Sequence, residues 1–299
     1  MLQHALRTLD EISSLGAPRT ALSFNGLLSA LNHSLLPFSP RRVPELFSDL
    51  SRRLSIVPDK VSYGILVKSH RLAGNARKAL GVLKEMEERK IEITTVIYTT
   101  LVDSFYKEGR PEEAERLWKE MEKKGCKPDL PAYNVRIMHR ALKGEPQDVL
   151  DSIREIEAAG LKPDTITYNY LISCYRSHGR FQEAKKVYKE LEEKGGVPNA
   201  ATFRNLLASL CKNEDFDGAL EVFTDSVKQS KVPDLGSVKL LFEGLMKNSK
   251  VRAAKMVISG LKKKFPEDLS GDWKKLEKVV GVNVDGEGPE QIVAAWIQK

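Results

Sequence analysis

The sequence predicts an all-α solenoid built from helix-turn-helix units of 35 residues, and three observations predict it. Tyr63, Tyr98, Tyr133, Tyr168 and Phe203 follow one another at intervals of 35, with Val238 in the next slot. Ala79, Ala114, Ala184, Ala219 and Ala254 keep the same interval, Val149 filling the missing step, and so do Gly74, Gly109, Gly144 and Gly179. Pro128-Asp129, Pro163-Asp164, Pro198-Asn199 and Pro233-Asp234 close successive units. Independent positions repeating in phase define an array, in which each unit buries its apolar face only against its neighbours.

The unit 165–199 shows how each repeat is built. Ile166, Tyr168, Leu171, Ile172 and Tyr175 have helical spacing and predict a first helix over Thr165–His178. Gly179 supplies the turn, since a positive φ costs glycine little. Phe181, Ala184, Val187, Tyr188 and Leu191 form the apolar face of a second helix over Phe181–Lys194, and Glu and Lys residues fill its other face. Gly195-Gly196 ends it and Pro198 blocks its continuation.

In that register the units are 21–59, 60–94, 95–129, 130–164, 165–199, 200–234 and 235–269, the first having extra residues around the connection Leu35–Pro44 and the last being degenerate. Residues 1–20 read as the second helix of a truncated repeat, with Ala5, Leu9 and Ile12 in phase; Asp10 and Glu11 argue against a transit peptide there. Residues 270–280, with Trp273, read as a capping helix. Val284–Pro289 reads as an acidic connection to a short final helix.

Composition narrows the function classes. The 299 residues include Lys+Arg 48 and Asp+Glu 41, a formal net charge of +7, with 41% hydrophobic and 30% charged residues. No apolar run approaches the roughly 18 residues of a spanning helix. Three cysteines, Cys126, Cys174 and Cys211, exclude a disulfide scaffold. No His-x-Glu with Cys-x-x-Cys occurs, and no phosphate-binding Gly-x4-Gly-Lys-Ser/Thr loop. Cys174 and His178 have ligand spacing on one helix but lack a second pair, so helix packing is the expected role. The expectation is a binding protein without catalysis, cofactor or metal.

A helical hairpin of this length closing in Lys-Pro-Asp resembles the pentatricopeptide repeat of the P class. The segments TVIYTTLVDSFYKEGRPEEAERLWKEMEKKGCKPD and TITYNYLISCYRSHGRFQEAKKVYKELEEKGGVPN carry the likeness, which extends over 21–269. The wording PDKVSYGILVKSH and the ending KKKFPEDLSGDWKKLEKVVG are similar to short plant mitochondrial members, some of them ribosomal. The resemblance implies a right-handed superhelix that holds single-stranded RNA, one base per repeat, in the mitochondrial matrix rather than the chloroplast, without a membrane. It leaves two roles open: a free factor in organellar RNA metabolism or translation, and a structural subunit of the mitochondrial ribosome contacting ribosomal RNA and proteins.

By the same resemblance, bases are read by the fifth and last residues of a unit. These pairs are Asn25/Asp59, Gly64/Thr94, Thr99/Asp129, Asn134/Asp164, Asn169/Asn199 and Arg204/Asp234. Asn/Asp suits uracil, Thr/Asp guanine and Asn/Asn a pyrimidine, whereas Gly64 offers no polar group. Leu22, Val61, Val96 and Ile166, at the second position, would sandwich the bases; Pro131, Ala201 and Gly236 depart from that pattern. Lys107, Lys212 and Lys247 share one phase near the ends of first helices, with Arg71, Lys143 and Arg176 within one position of it. They suit phosphate contacts, and equally the negative end of the helix dipole. Lys262–Lys264, Lys274, Lys275 and Lys278 form a basic end that fits either structural RNA or a solvated cap.

Overall fold

The computed structural model describes residues 20–33, 39–53 and 55–264, and every regular element among them is a helix. The readings for 1–19 and 265–299 lie outside the described residues. The helices are α1 (Ala21–His33), α2 (Ser39–Arg53), α3 (Lys60–Leu72), α4 (Ala76–Glu88), α5 (Thr95–Lys107), α6 (Pro111–Lys123), α7 (Leu130–Lys143), α8 (Pro146–Ala158), α9 (Thr165–Ser177), α10 (Phe181–Glu193), α11 (Ala200–Lys212), α12 (Phe216–Lys228), α13 (Leu235–Lys247) and α14 (Val251–Lys264). The chain divides into two compact units, residues up to Arg136 and from Ile137 on, the division falling inside α7.

Within each unit the pattern is the same. Hairpin partners pack together, α3 on α4 and α5 on α6 in the first unit, α9 on α10 and α11 on α12 in the second. First helices also pack on first helices, α1 on α3 and α3 on α5, then α9 on α11 and α11 on α13. The periodic residues form this core. Tyr63, Tyr98, Tyr133, Tyr168 and Phe203 are buried, and the whole alanine series is fully enclosed. An alanine at that point lets the two helices of a hairpin approach closely, and Val149 is the one larger side chain the series admits.

Turn geometry explains three of the four glycines in phase and corrects the fourth. Gly74, Gly109 and Gly179 have φ of 67°, 72° and 69°, the left-handed region where a Cβ is penalised. Gly144 keeps the interval but has no positive φ. There α7 runs to Lys143, and Pro146 opens α8; a residue before proline favours extended backbone, which Glu145 adopts at ψ 156°. At the equivalent turns Glu214 and Ser249 accept φ of 59° and 57° without being glycine, a strain of about 1–2 kcal/mol each.

Leu171 is 2% exposed on α9, which packs on α8, α10 and α11. Leu171→Ala should cost about 2–5 kcal/mol in urea unfolding. Amide exchange should accelerate in α8 and α11 as well as in 165–199; acceleration confined to 165–199 would contradict stacking between repeats.

Candidate functional site

The residue that closes one repeat is the N-cap of the next first helix. Asp59 accepts from the Ser62 N–H at 2.8 Å, and the Asp59 N–H donates to Ser62 Oγ at 3.2 Å, a reciprocal capping box. Asp164 with Thr167 and Asn199 with Thr202 repeat it at 2.9 Å and 3.1 Å for the first bond. Asp129 accepts from the Ala132 N–H at 2.9 Å and Asp234 from the Ser237 N–H at 3.1 Å. Each cap satisfies one of the four amides that a helix start leaves without a partner.

The fifth residue of a repeat reaches that cap. Asn25 Nδ2 donates to Asp59 Oδ1 at 3.1 Å, and Ser62 Oγ donates to Asn25 Oδ1 at 2.6 Å. Asn169 Nδ2 donates to Asn199 Oδ1 at 3.1 Å, but Asn169 Oδ1 is buried and meets no donor among the described residues. A buried acceptor left in that state costs about 1–3 kcal/mol, which a donor on a ligand would relieve. Thr99 instead turns its hydroxyl to the Thr95 carbonyl of its own helix at 2.8 Å. Asn134 is buried, and Asp129 is exposed. Gly64 faces open space, with no atom within 4 Å of where a Cβ would stand.

The Asp59 carboxyl is pushed up by burial, but the hydrogen bonds from Ser62 and Asn25 outweigh that and hold it below the ordinary carboxylate value. Asp234 is lowered in the same way, against its own burial, by bonds from Ser237 and by the nearby Arg204 charge. A depressed carboxyl contributes stability above its unfolded pKa and loses it as pH falls through the folded one.

The second positions are unusual for apolar residues. Leu22 is 81% exposed, Val61 53%, Val96 68% and Ile166 48%. Each stands at the start of a first helix, three residues before the fifth-position side chain. A helix start needs no aliphatic residue in water, so packing does not account for them.

The basic row is uneven. Lys107 Nζ bonds Asp103 at 2.7 Å and Arg71 bonds the same carboxylate at 3.1 Å, the Asp103 side chain being 12% exposed. Asp103 was missed from the sequence because its position carries no periodic signal and one partner lies 32 residues away. Lys212 and Lys247 are exposed and form no ion pair among the described residues. Arg176 is half-buried, with its Nε buried and without an acceptor among the described residues. Cys174 and His178 pack locally: His178 Nδ1 lies 2.9 Å from the Cys174 carbonyl, and burial with the charges of Glu145 and Asp148 pushes the Cys174 thiol up to about 11.

These features define a helical-repeat protein with a recurring triad of exposed aliphatic, polar fifth residue and polar cap. The PPR repeat family matches residues 93–139 and 163–212, and the PPR repeat matches 61–91 and 201–228. Residues 61–91, 93–139 and 163–228 of the chain thus carry pentatricopeptide repeats. It is 45% identical over 101 residues to small ribosomal subunit protein mL103 (rPPR7) of Arabidopsis thaliana, a match covering 33% of this chain and 24% of that protein. It is 35% identical over 92 residues to small ribosomal subunit protein mS79 (rPPR3b) of the same plant, covering 31% and 23%. The matched stretch thus spans about a quarter of these relatives' length. The crystal structure of the pentatricopeptide repeat protein PPR10 from maize superposes with a TM-score of 0.57 at 19% identity, over 92% of this chain and 43% of PPR10. Its complex with an 18-nucleotide psaJ RNA element superposes at 0.55, over 89% and 43%. At such identity the likeness establishes the fold.

The uneven basic row gives a test on single-stranded RNA oligomers. Lys212→Ala is expected to lower the salt slope of binding by roughly 0.7, whereas Lys107→Ala leaves it nearly unchanged. Asp103→Asn releases Arg71 and Lys107 and is expected to steepen the slope and tighten binding of all sequences alike. Equal effects of the two lysine changes would remove Asp103 from this role.

Proposed function

We propose that the chain binds single-stranded RNA in plant mitochondria, one base per repeat, without a catalytic step, in RNA metabolism or translation. The observation that carries this reading is the exposure of Leu22, Val61, Val96 and Ile166 beside the fifth-position and capping side chains. An aliphatic surface next to hydrogen-bonding groups suits a base, which has an apolar face and a polar edge. The pairs Asn25/Asp59, Thr99/Asp129, Asn134/Asp164 and Asn169/Asn199 then read U, G, U and a pyrimidine, with Gly64/Thr94 silent between the first two. Lys212 and Lys247 serve the phosphates, and Lys107 does so only when freed from Asp103. The mitochondrial assignment rests on an Arabidopsis thaliana relative named as a mitochondrial pentatricopeptide repeat-containing protein, 45% identical over 101 residues, covering 33% of this chain and 23% of that protein.

A second reading is favoured by a specific observation: mL103, mS79 and mS78 of Arabidopsis are named as small ribosomal subunit proteins. Four readable units specify a word found on the order of once per hundred nucleotides, too common to select one transcript against competing sites. A place inside the mitochondrial ribosome, on ribosomal RNA and neighbouring proteins, removes that difficulty. Sedimentation of the native protein after RNase and high-salt washes separates the two roles. A ribosomal subunit stays with the particle, and a free factor leaves it.

Base reading is tested at one unit. Thr99→Asn keeps Asp129 and supplies an amide, and is expected to move the preference at the third base of U-N-G-U-Y from guanine to uracil by about 1–3 kcal/mol. Binding of both proteins is measured on oligomers differing at that base alone. Identical ranking of the four bases by the two proteins would mean that this unit does not read sequence.

A further inference from the structure

The outer faces of the second helices are joined from repeat to repeat by polar pairs. Lys124 bonds Glu87, Lys194 lies 3.8 Å from Glu157, Gln229 donates to Glu192 at 3.3 Å, and Lys185 lies 3.3 Å from Glu221. One repeat further on, the same register positions turn apolar. Val227 follows Glu87, Glu122, Glu157 and Glu192 at that interval, Leu220 follows Lys185, and Met256 follows Arg116, Asp151, Lys186 and Glu221. Met256 is 56% exposed. Leu220, Phe223, Val227, Met256 and Gly260 line a cavity of about 460 Å³ between α12 and α14, large enough for an indole and a branched aliphatic side chain. At Gly260 the wall has no side chain, and a Cβ there would meet the Phe223 ring at 3.4 Å, in ordinary contact.

We propose that this cavity is the docking seat of the chain's own segment Gln291–Ile297. Ile292, Val293, Trp296 and Ile297 recur with helical spacing within six consecutive apolar residues, and so would present one apolar stripe. Gly260 lies one turn before the end of α14 at Lys264, so the chain leaves the array beside the cavity. Residues 265–290 join the segment covalently to α14, so its effective concentration at the cavity is on the order of millimolar, which an equally apolar segment on another molecule lacks.

The test uses the full chain labelled with 5-fluorotryptophan, whose Trp118, Trp273 and Trp296 give three fluorine resonances. Trp296 is assigned through Trp296→Phe. The native Trp296 resonance is expected not to shift when H2O is exchanged for D2O, and to shift in the double variant Val227→Glu, Met256→Glu. Glutamate already occupies the corresponding positions of earlier repeats, so the array accommodates it; an unchanged urea midpoint checks this. Met256→Lys, which repeats the residue found at Lys186, gives a milder version. A solvent-sensitive Trp296 in the native chain overturns the proposal, as does one that stays insensitive in both variants. Burial that disappears on dilution, together with dimers in sedimentation, overturns it in favour of a second copy.

Discussion

The structure depends on the hydrogen bond between the last side chain of one repeat and the amide three residues on, in the first turn of the next. A solenoid of short helices has many helix starts, each leaving amides unsatisfied. Asp59, Asp129, Asp164, Asn199 and Asp234 answer that need at five junctions, whereas Thr94 makes no side-chain bond at the start of α5. The fifth-position amides of Asn25 and Asn169 then bond to the same caps. A cap held by its helix and by an asparagine keeps a fixed edge, the preorganisation that discrimination between bases requires. Stability and proposed recognition therefore share atoms.

Charge is arranged around that frame with unequal effect along the chain. Asp103 binds Arg71 and Lys107 together, so a nearly buried carboxylate is compensated by a half-buried guanidinium and an exposed ammonium. Lys212 and Lys247 keep their charge for solvent or ligand. A row of basic residues read only by position treats these as equivalent, but their environments make them different. The outer surface shows a parallel change, from polar pairs between consecutive second helices to the apolar wall of Leu220, Val227 and Met256.

The core was legible because stacking demands the same size of side chain at the same place in every unit. The tyrosine and alanine series therefore mark the buried residues directly, and Val149 is as enclosed as the alanines it replaces. The caps were legible in outline, since Asp or Asn is followed three residues later by a Ser or Thr at Ser62, Thr167, Thr202 and Ser237. What sequence spacing did not reveal is that the fifth-position asparagines Asn25 and Asn169 are bonded to the caps, and that Thr99 turns to its own backbone. Gly144 also misled, because the following Glu145-Pro146 changes the turn, while Glu214 and Ser249 adopt a glycine conformation without the glycine. Such features arise from single local contacts rather than from a repeated constraint, so no interval records them.

The central claim is that one side chain both caps a helix and presents a base-reading edge, and Asp59→Ser separates the two roles. Serine caps a helix about as well as aspartate, but it removes the carboxylate that holds Asn25. Urea unfolding and RNA binding are measured on the same preparations, with oligomers varied at the first base of the proposed word. The account predicts a helix that stays capped, a stability loss of about 1–3 kcal/mol from the freed Asn25 amide, and loss of uracil preference at that base alone. Unchanged base ranking in the folded variant would contradict it.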